Sequence, residues 1–170
     1  MPRGIAIVAA AADDAAEAPQ ASPPPSRASA LKLRLGLRER EALEDKINRL
    51  PIVRVTGTTV AVSEDGVVEA RLKRIRSYHL GGGETRFVNG PVILGLLDCV
   101  IAVAGLAHLN GGRCATVELA VKLMRPVLPK DVHAIGYVVS RSRDLVFAQA
   151  EVYDARDRPK VTATGIIMAL

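Results

Sequence analysis

Aromatic side chains are nearly missing from this chain: three Tyr, two Phe and no Trp among 170 residues. Proteins that hold single-stranded nucleic acid interleave basic residues with stacking aromatics, and a chain of net charge +5 with so few rings has the charge without the stacking. Nucleic acid is therefore not an expected partner. Cysteine is scarce too. Cys99 and Cys114 stand among apolar neighbours and form no CxxC pair, so they read as buried, reduced thiols. His79, His108 and His133 are far apart and lack metal-ligand spacing, so neither a metal nor a cofactor is expected.

Residues 1–30 also lack something: beyond Ala, Pro, Ser and a few acids they have almost no side chains able to build a core. They read as a flexible tail, with the globular domain at 31–170. The short apolar stretch "GIAIVAAAA" has one upstream Arg and runs straight into Asp13 and Asp14, unlike a secretory signal, so a cytoplasmic location is the expectation. With 49% hydrophobic and 24% charged residues the chain can bury one core. The tail carries Arg3 and Arg27 against Asp13, Asp14 and Glu17, so the basic excess belongs to the domain and favours an anionic ligand.

What is present changes period along the chain. "GLREREALEDKINRLP" spaces Leu37, Leu43, Ile47 and Leu50 among charges, which predicts an amphipathic helix over 37–50 that Pro51 ends. "IVRVTGTTVAV" and "GVVEARLKRIR" turn to β-branched residues and two-residue alternation around "SEDG", a hairpin pattern. Its run Arg71, Lys73, Arg74, Arg76 reads as the solvated face of a strand.

Then comes "NGPVILGLLDCVIAVAG". Asn89 suits an N-cap and Pro91 the first turn, which predicts a helix over 90–107 of roughly 25 Å. That is short for a membrane span, and Asp98 stands in its middle, so no span is expected. A helix apolar on nearly all sides must be wrapped by other protein. "CATVELAVKLMRPV" alternates Ala115, Val117, Leu119, Val121 and Leu123 against Thr116, Glu118 and Lys122, and three further strand patterns follow after turn residues. Four strands in succession predict an antiparallel meander curled around the helix, an α+β architecture. Asp98 is then either a satisfied core carboxylate or a group kept for chemistry.

The order hairpin, apolar helix, strands, with "NGPVILGLLDCVIAVAG", "TVELAVKLMRP" and "VVSRSRDLVFAQAEVYDARDRPKVTATG", resembles the hotdog-fold thioesterases, in particular the PaaI-like branch of the phenylacetate pathway. The resemblance covers about residues 50–170. It implies an acyl-CoA or related acyl thioester as substrate and a homodimer or a pair of dimers as the working unit. In that family a His-Gly-Gly triplet opens the helix and an acid follows in its middle. Here the triplet falls on Asn89, Gly90 and Pro91 and the acid on Asp98. The glycine whose N–H polarises the thioester carbonyl is kept as Gly90. A family serine that assists the acid falls on Thr116, and an asparagine that helps hold the carbonyl falls on Gly83, which has no side chain for it. The hairpin that meets the CoA phosphates falls on Arg141 and Arg143.

Helix geometry adds a constraint of its own. Asn89 and Asp98 lie nine residues apart, roughly 13 Å along one helix, so they can serve one carbon only if a second helix runs antiparallel beside the first. A two-fold dimer supplies that helix and makes two equivalent sites. Asn89 is then a polar group at the mouth or a plain N-cap, and Asp98 a general base or a nucleophile. Three readings follow: a thioesterase, a non-catalytic hotdog protein that binds acyl thioesters, and a dehydratase, for which a histidine facing Asp98 would be needed.

Overall fold

Gly90 to His108 form one uninterrupted helix, and the sheet packs against it. The protein is described by a computed structural model over residues 30–81, 86–109, 112–156 and 158–170. The Ala/Pro-rich tail, all but its last residue, and Gly83 lie outside the described residues. In chain order the elements are α1 (Leu37–Asn48), α2 (Pro51–Val55), β1 (Thr58–Val62), β2 (Val68–Leu72), a 3-10 turn (Ser77–His79), α3 (Gly90–His108), β3 (Cys114–Leu123), β4 (His133–Arg141), β5 (Leu145–Tyr153) and β6 (Val161–Ala169).

The six strands make one antiparallel sheet in the order β1-β2-β4-β5-β6-β3. Only β4, β5 and β6 are a meander. The expected four-strand meander is corrected: β3 lies at the far edge beside β6, and β2 takes its place beside β4. The reason is the link "MRPVLPKDV", whose two prolines and length cannot tie a tight hairpin. It crosses the end of the sheet instead, burying Val127 and Val132, and the Val127 carbonyl accepts the Val88 N–H at 2.9 Å just ahead of α3. Asp154 holds the same link from the β5–β6 turn. Its carboxylate accepts the Leu128 N–H at 3.0 Å and pairs with Lys160 at 3.4 Å, and both side chains are almost wholly buried.

A second correction concerns Pro51. It opens α2 instead of ending the preceding helix, which stops at Asn48. Pro at the first helical position loses no hydrogen bond, and the Thr56 hydroxyl donates back to the Ile52 carbonyl at 2.8 Å. Residues 52–55 are therefore helical although their β-branched composition suggests strand. Gly57, at φ +65°, makes the turn into β1.

A third concerns β3. A bulge between Thr116 and Glu118 shifts its register against β6. Thr116 stands opposite the buried Ile167, Leu119 opposite Gly165 and Val121 opposite Ala163, so Thr116 shares the inner face with Leu119 and Val121, while Val117 is left exposed. The expected unbroken alternation from Ala115 is lost at that one residue.

α3 lies on one face of the sheet with Ile93, Leu97, Val100, Ile101 and Ala104 buried against it. Contact is close because glycine stands where the surfaces touch. A Cβ on Gly136 of β4 would come within 2.8 Å of Val100, and one on Gly165 of β6 within 2.8 Å of Ile101. The helix is long and apolar enough to cross a membrane by composition, at mean hydropathy 2.1, yet half of that stretch is buried inside this domain. The wrapping is one-sided: Pro91, Leu94, Gly95 and Asp98 are exposed, uncovered by this chain.

Candidate active site

The start of α3 is held by Asn89. Its Oδ1 accepts the Val92 N–H at 2.9 Å, its Nδ2 donates to the Tyr78 carbonyl at 2.7 Å and the Leu80 carbonyl at 3.2 Å, and its own N–H donates to the His79 carbonyl at 2.8 Å. With both amide hydrogens engaged, Asn89 is the N-cap and the clamp that seats α3 on the 3-10 turn. It has no donor left for a ligand.

That clamp decides which amide groups remain. Pro91 has no N–H, Val92 is taken by the Asn89 side chain, and the Ile93 N–H goes to the Asn89 carbonyl at 3.2 Å. Gly90, the first helical residue, has no carbonyl within the helix for its N–H. Space beside it is open, since a Cβ there would meet nothing within 4 Å. Among the described residues none accepts this amide, and an amide at the positive end of a helix, with room in front, is suited to an oxygen that gains negative charge.

Asp98 stands two turns further on, exposed, at the rim of a cleft of about 470 Å³ between α3 and the α1–α2 pair. Among the described residues it is the one charged side chain lining that cleft. Asn89, Tyr78, Cys99 and Cys114 line it too, and the remaining wall is mostly aliphatic. The Cys99 thiol is pushed up to about 11, first by burial and then by the neighbouring Asp98 charge, and burial raises Cys114 as well. Both remain thiols near neutral pH, poor nucleophiles beside a carboxylate. They are half-buried on the cleft wall rather than fully enclosed.

Thr116 points to the helix side of β3, two residues beyond Cys114, because of the bulge at Val117. No hydrogen bond joins it to Asp98 among the described residues. Gly90 and Asp98 of one chain lie roughly 12 Å apart along α3, too far to act on one atom.

Arg141 is at the other end of the helix. Its Nη1 donates to the His108 carbonyl at 2.5 Å, so the guanidinium caps the C-terminus of α3, where a cation is favoured. Arg143 is exposed on the β4–β5 turn. Lys32 and Arg34 join Arg141 and Ser142 around a second cleft of about 720 Å³. Sequence reasoning missed these two, although "LKLRL" carries the two-residue alternation of a paired segment; the Leu31 N–H indeed donates to the Val138 carbonyl at 2.8 Å. Among the described residues no hydrogen bond joins a histidine to Asp98. His79 is fully buried, its Nδ1 accepting the Arg76 N–H at 2.9 Å and its Nε2 donating to the Thr56 carbonyl at 2.9 Å. Among the described residues no three His, Cys, Asp or Glu side chains are grouped to hold a metal ion.

The family model of the thioesterase superfamily matches residues 86–160, from just before α3 to the β5–β6 turn. A thioesterase family protein from Silicibacter pomeroyi superposes with a TM-score of 0.67 at 24% identity, covering 78% of this chain and 98% of that one. A Shewanella oneidensis protein related to the thioesterase superfamily gives 0.69 at 16% identity, over 78% and 96%. The PaaI protein of the E. coli phenylacetic acid degradation operon gives 0.67 at 12% identity, over 78% and 94%. Among curated proteins, none matches in sequence. The fold is therefore the hotdog fold of these structures, and residues 86–160 match the thioesterase superfamily.

Proposed function

We propose that the protein is a cytoplasmic acyl-CoA thioesterase, cleaving the thioester to a free acid and a thiol across a two-fold dimer. The observation that carries this reading is the unengaged Gly90 N–H at the start of the same apolar helix whose middle exposes Asp98. In the dimer the Gly90 N–H of one subunit holds the thioester oxygen while the partner's Asp98 approaches the carbonyl carbon. Asp98 takes a proton from water, the water oxygen bonds to that carbon, and charge collects on the oxygen facing Gly90. When the C–S bond breaks, the carbon keeps the water oxygen and the proton passes to the departing sulfur. Attack by the carboxylate itself, through an anhydride that water then opens, uses the same two groups. Thr116 orients the water or the carboxylate from β3.

Two features support the dimer and the carrier. The exposed stripe Pro91, Leu94, Gly95 and Asp98 is an apolar face that a second α3 would cover. Arg141, with Lys32 and Arg34 beside it, and Arg143 on the adjoining turn would meet the phosphates of CoA.

The test is a thiol-release assay over a panel of acyl-CoAs, on wild type and Asp98→Asn, with sedimentation to verify that both are dimers. Turnover that falls at least about 100-fold in the variant is expected for loss of the acid–base group. A wild type that binds CoA esters and turns over none would instead identify a binding protein, which the engaged Asn89 amide would suit.

A further inference from the structure

The cleft between α2 and α3 has a composition that selects its occupant. Its walls are aliphatic, from Ile47 and Ile52 on one side to Val103 and Leu106 on the other, and among the described residues Asp98 is its one charged side chain. Its other polar groups are already bonded within the protein. The Thr56 hydroxyl donates to the Ile52 carbonyl at 2.8 Å, which leaves the Thr58 hydroxyl to donate to Thr56 at 2.9 Å, and the Tyr78 hydroxyl donates to the Val55 carbonyl at 2.7 Å. Asn89 has both amide hydrogens engaged. The raised thiols of Cys99 and Cys114 add no charge near neutral pH. A carboxylate or carbonyl carried along the ligand would therefore enter without a donor to meet it, a desolvation cost with no return.

The cleft also has a measurable length. Asp98, Ala102 and Leu106 recur every four residues on the face of α3 that lines it. From Asp98 to Leu106 is about 12 Å, and from Asp98 to Ala102 about 6 Å. A zigzag chain of bonds near 1.5 Å advances roughly 1.25 Å per bond, so about eight to ten carbons reach from the carboxylate to Leu106.

We infer that this cleft seats an uncharged, unsubstituted acyl chain of medium length, with Ala102 and Leu106 setting how long that chain can be. The inference rests on the hydrolase reading for the end at which the thioester sits, next to Asp98, and deepens it by naming the acyl class. It departs from an acyl group lying wholly between subunits: the chain lies under this subunit's own α1 and α2, and a partner closes only the open side.

The experiment compares acetyl-, octanoyl-, palmitoyl- and glutaryl-CoA on wild type, Ala102→Phe and Leu106→Ala, after sedimentation and circular dichroism have verified fold and assembly. Wild type is expected to favour octanoyl over the other three. Ala102→Phe, which fills the cleft one turn beyond Asp98, should lower the octanoyl-to-acetyl ratio of kcat/KM at least tenfold. Leu106→Ala, the milder change, should move the optimum to a longer chain. Turnover with the same chain-length profile in all three proteins, or with glutaryl-CoA preferred, would overturn the cleft assignment and leave the hydrolase standing. If wild type turns over nothing, titration calorimetry with octanoyl-CoA, acetyl-CoA and glutaryl-CoA separates the two ideas. Tighter binding of octanoyl-CoA than of acetyl-CoA that disappears in Ala102→Phe upholds the cleft without the hydrolase; equal binding of the two, or glutaryl-CoA binding equally well, ends it.

Discussion

α3 has two faces built from the same kinds of residue and used in opposite ways. On the sheet side, Gly136 and Gly165 press backbone against Val100 and Ile101, and a methyl group at either would overlap its neighbour. On the far side, Gly90 and Gly95 face open space, with nothing within 4 Å of where a Cβ would stand. Glycine on the first face makes contact possible; on the second it leaves contact for something else to make. A glycine in an apolar pattern thus has no single meaning, and the atoms opposite it decide which it has.

Substitution breaks this contrast most sharply at Gly136. Gly136→Ala should destabilise the fold by about 1–3 kcal/mol, because the nearest atoms include the Val100 backbone, which cannot step aside; urea denaturation checks it. Asn89→Ala comes next, at about 1–2 kcal/mol, since it removes the cap and leaves the Tyr78 and Leu80 carbonyls without their donor. Its thermal midpoint should fall, and any turnover should fall with it as Gly90 loosens. Within one subunit Gly95→Ala should go the other way, gaining about 0.5–1 kcal/mol from helix propensity with no overlap in its own chain to offset it. A loss of stability there would show that the open face is less open than its geometry.

The smallest effect sharpens the contrast through pH. Burial pushes the Asp154 carboxyl up, but the Leu128 and Arg156 amides and the Lys160 ammonium outweigh it, and the group ends below its ordinary value. Because the folded value lies under the unfolded one of about 3.9, Asp154 stabilises the fold above that pH, and the contribution is lost as pH falls through the folded value. Thermal midpoints should be flat above about pH 5 and decline below about pH 4, less steeply in the double variant Asp154→Asn, Lys160→Met.

How legible each part was follows from how local its cause is. α3 was legible because Asn89, Pro91 and an apolar run are local signals. α2 was not: Ile52, Val53 and Val55 have the composition of a strand, and it takes Pro51 at the first turn and Gly57 at positive φ to make them helical. The seat of β3 depends on which strand accepts it, which the alternation of "TVELAVKL" does not encode. Its bulge at Val117 exchanged the faces expected for Ala115 and Thr116. For the site, Asn89 and Asp98 stood out as the odd polar residues of an apolar segment, but whether Asn89 had hydrogens to offer depended on Tyr78 and Leu80. Lys32 and Arg34 were hidden because a single extended segment has no turn partner beside it in sequence.

The crossing of β3 to the far edge also fixes an order of assembly. The contacts that seat Asn89 are made with residues 78–80, close behind it in the chain, whereas those that seat Thr116 are made with Ile167, far ahead. Near neighbours meet sooner than distant ones, since distant pairing must first close a long loop. The contacts that hold the Asn89 cap are therefore all encoded well before β6, which seats Thr116, has been made, and a chain arrested before β6 would lack that seat.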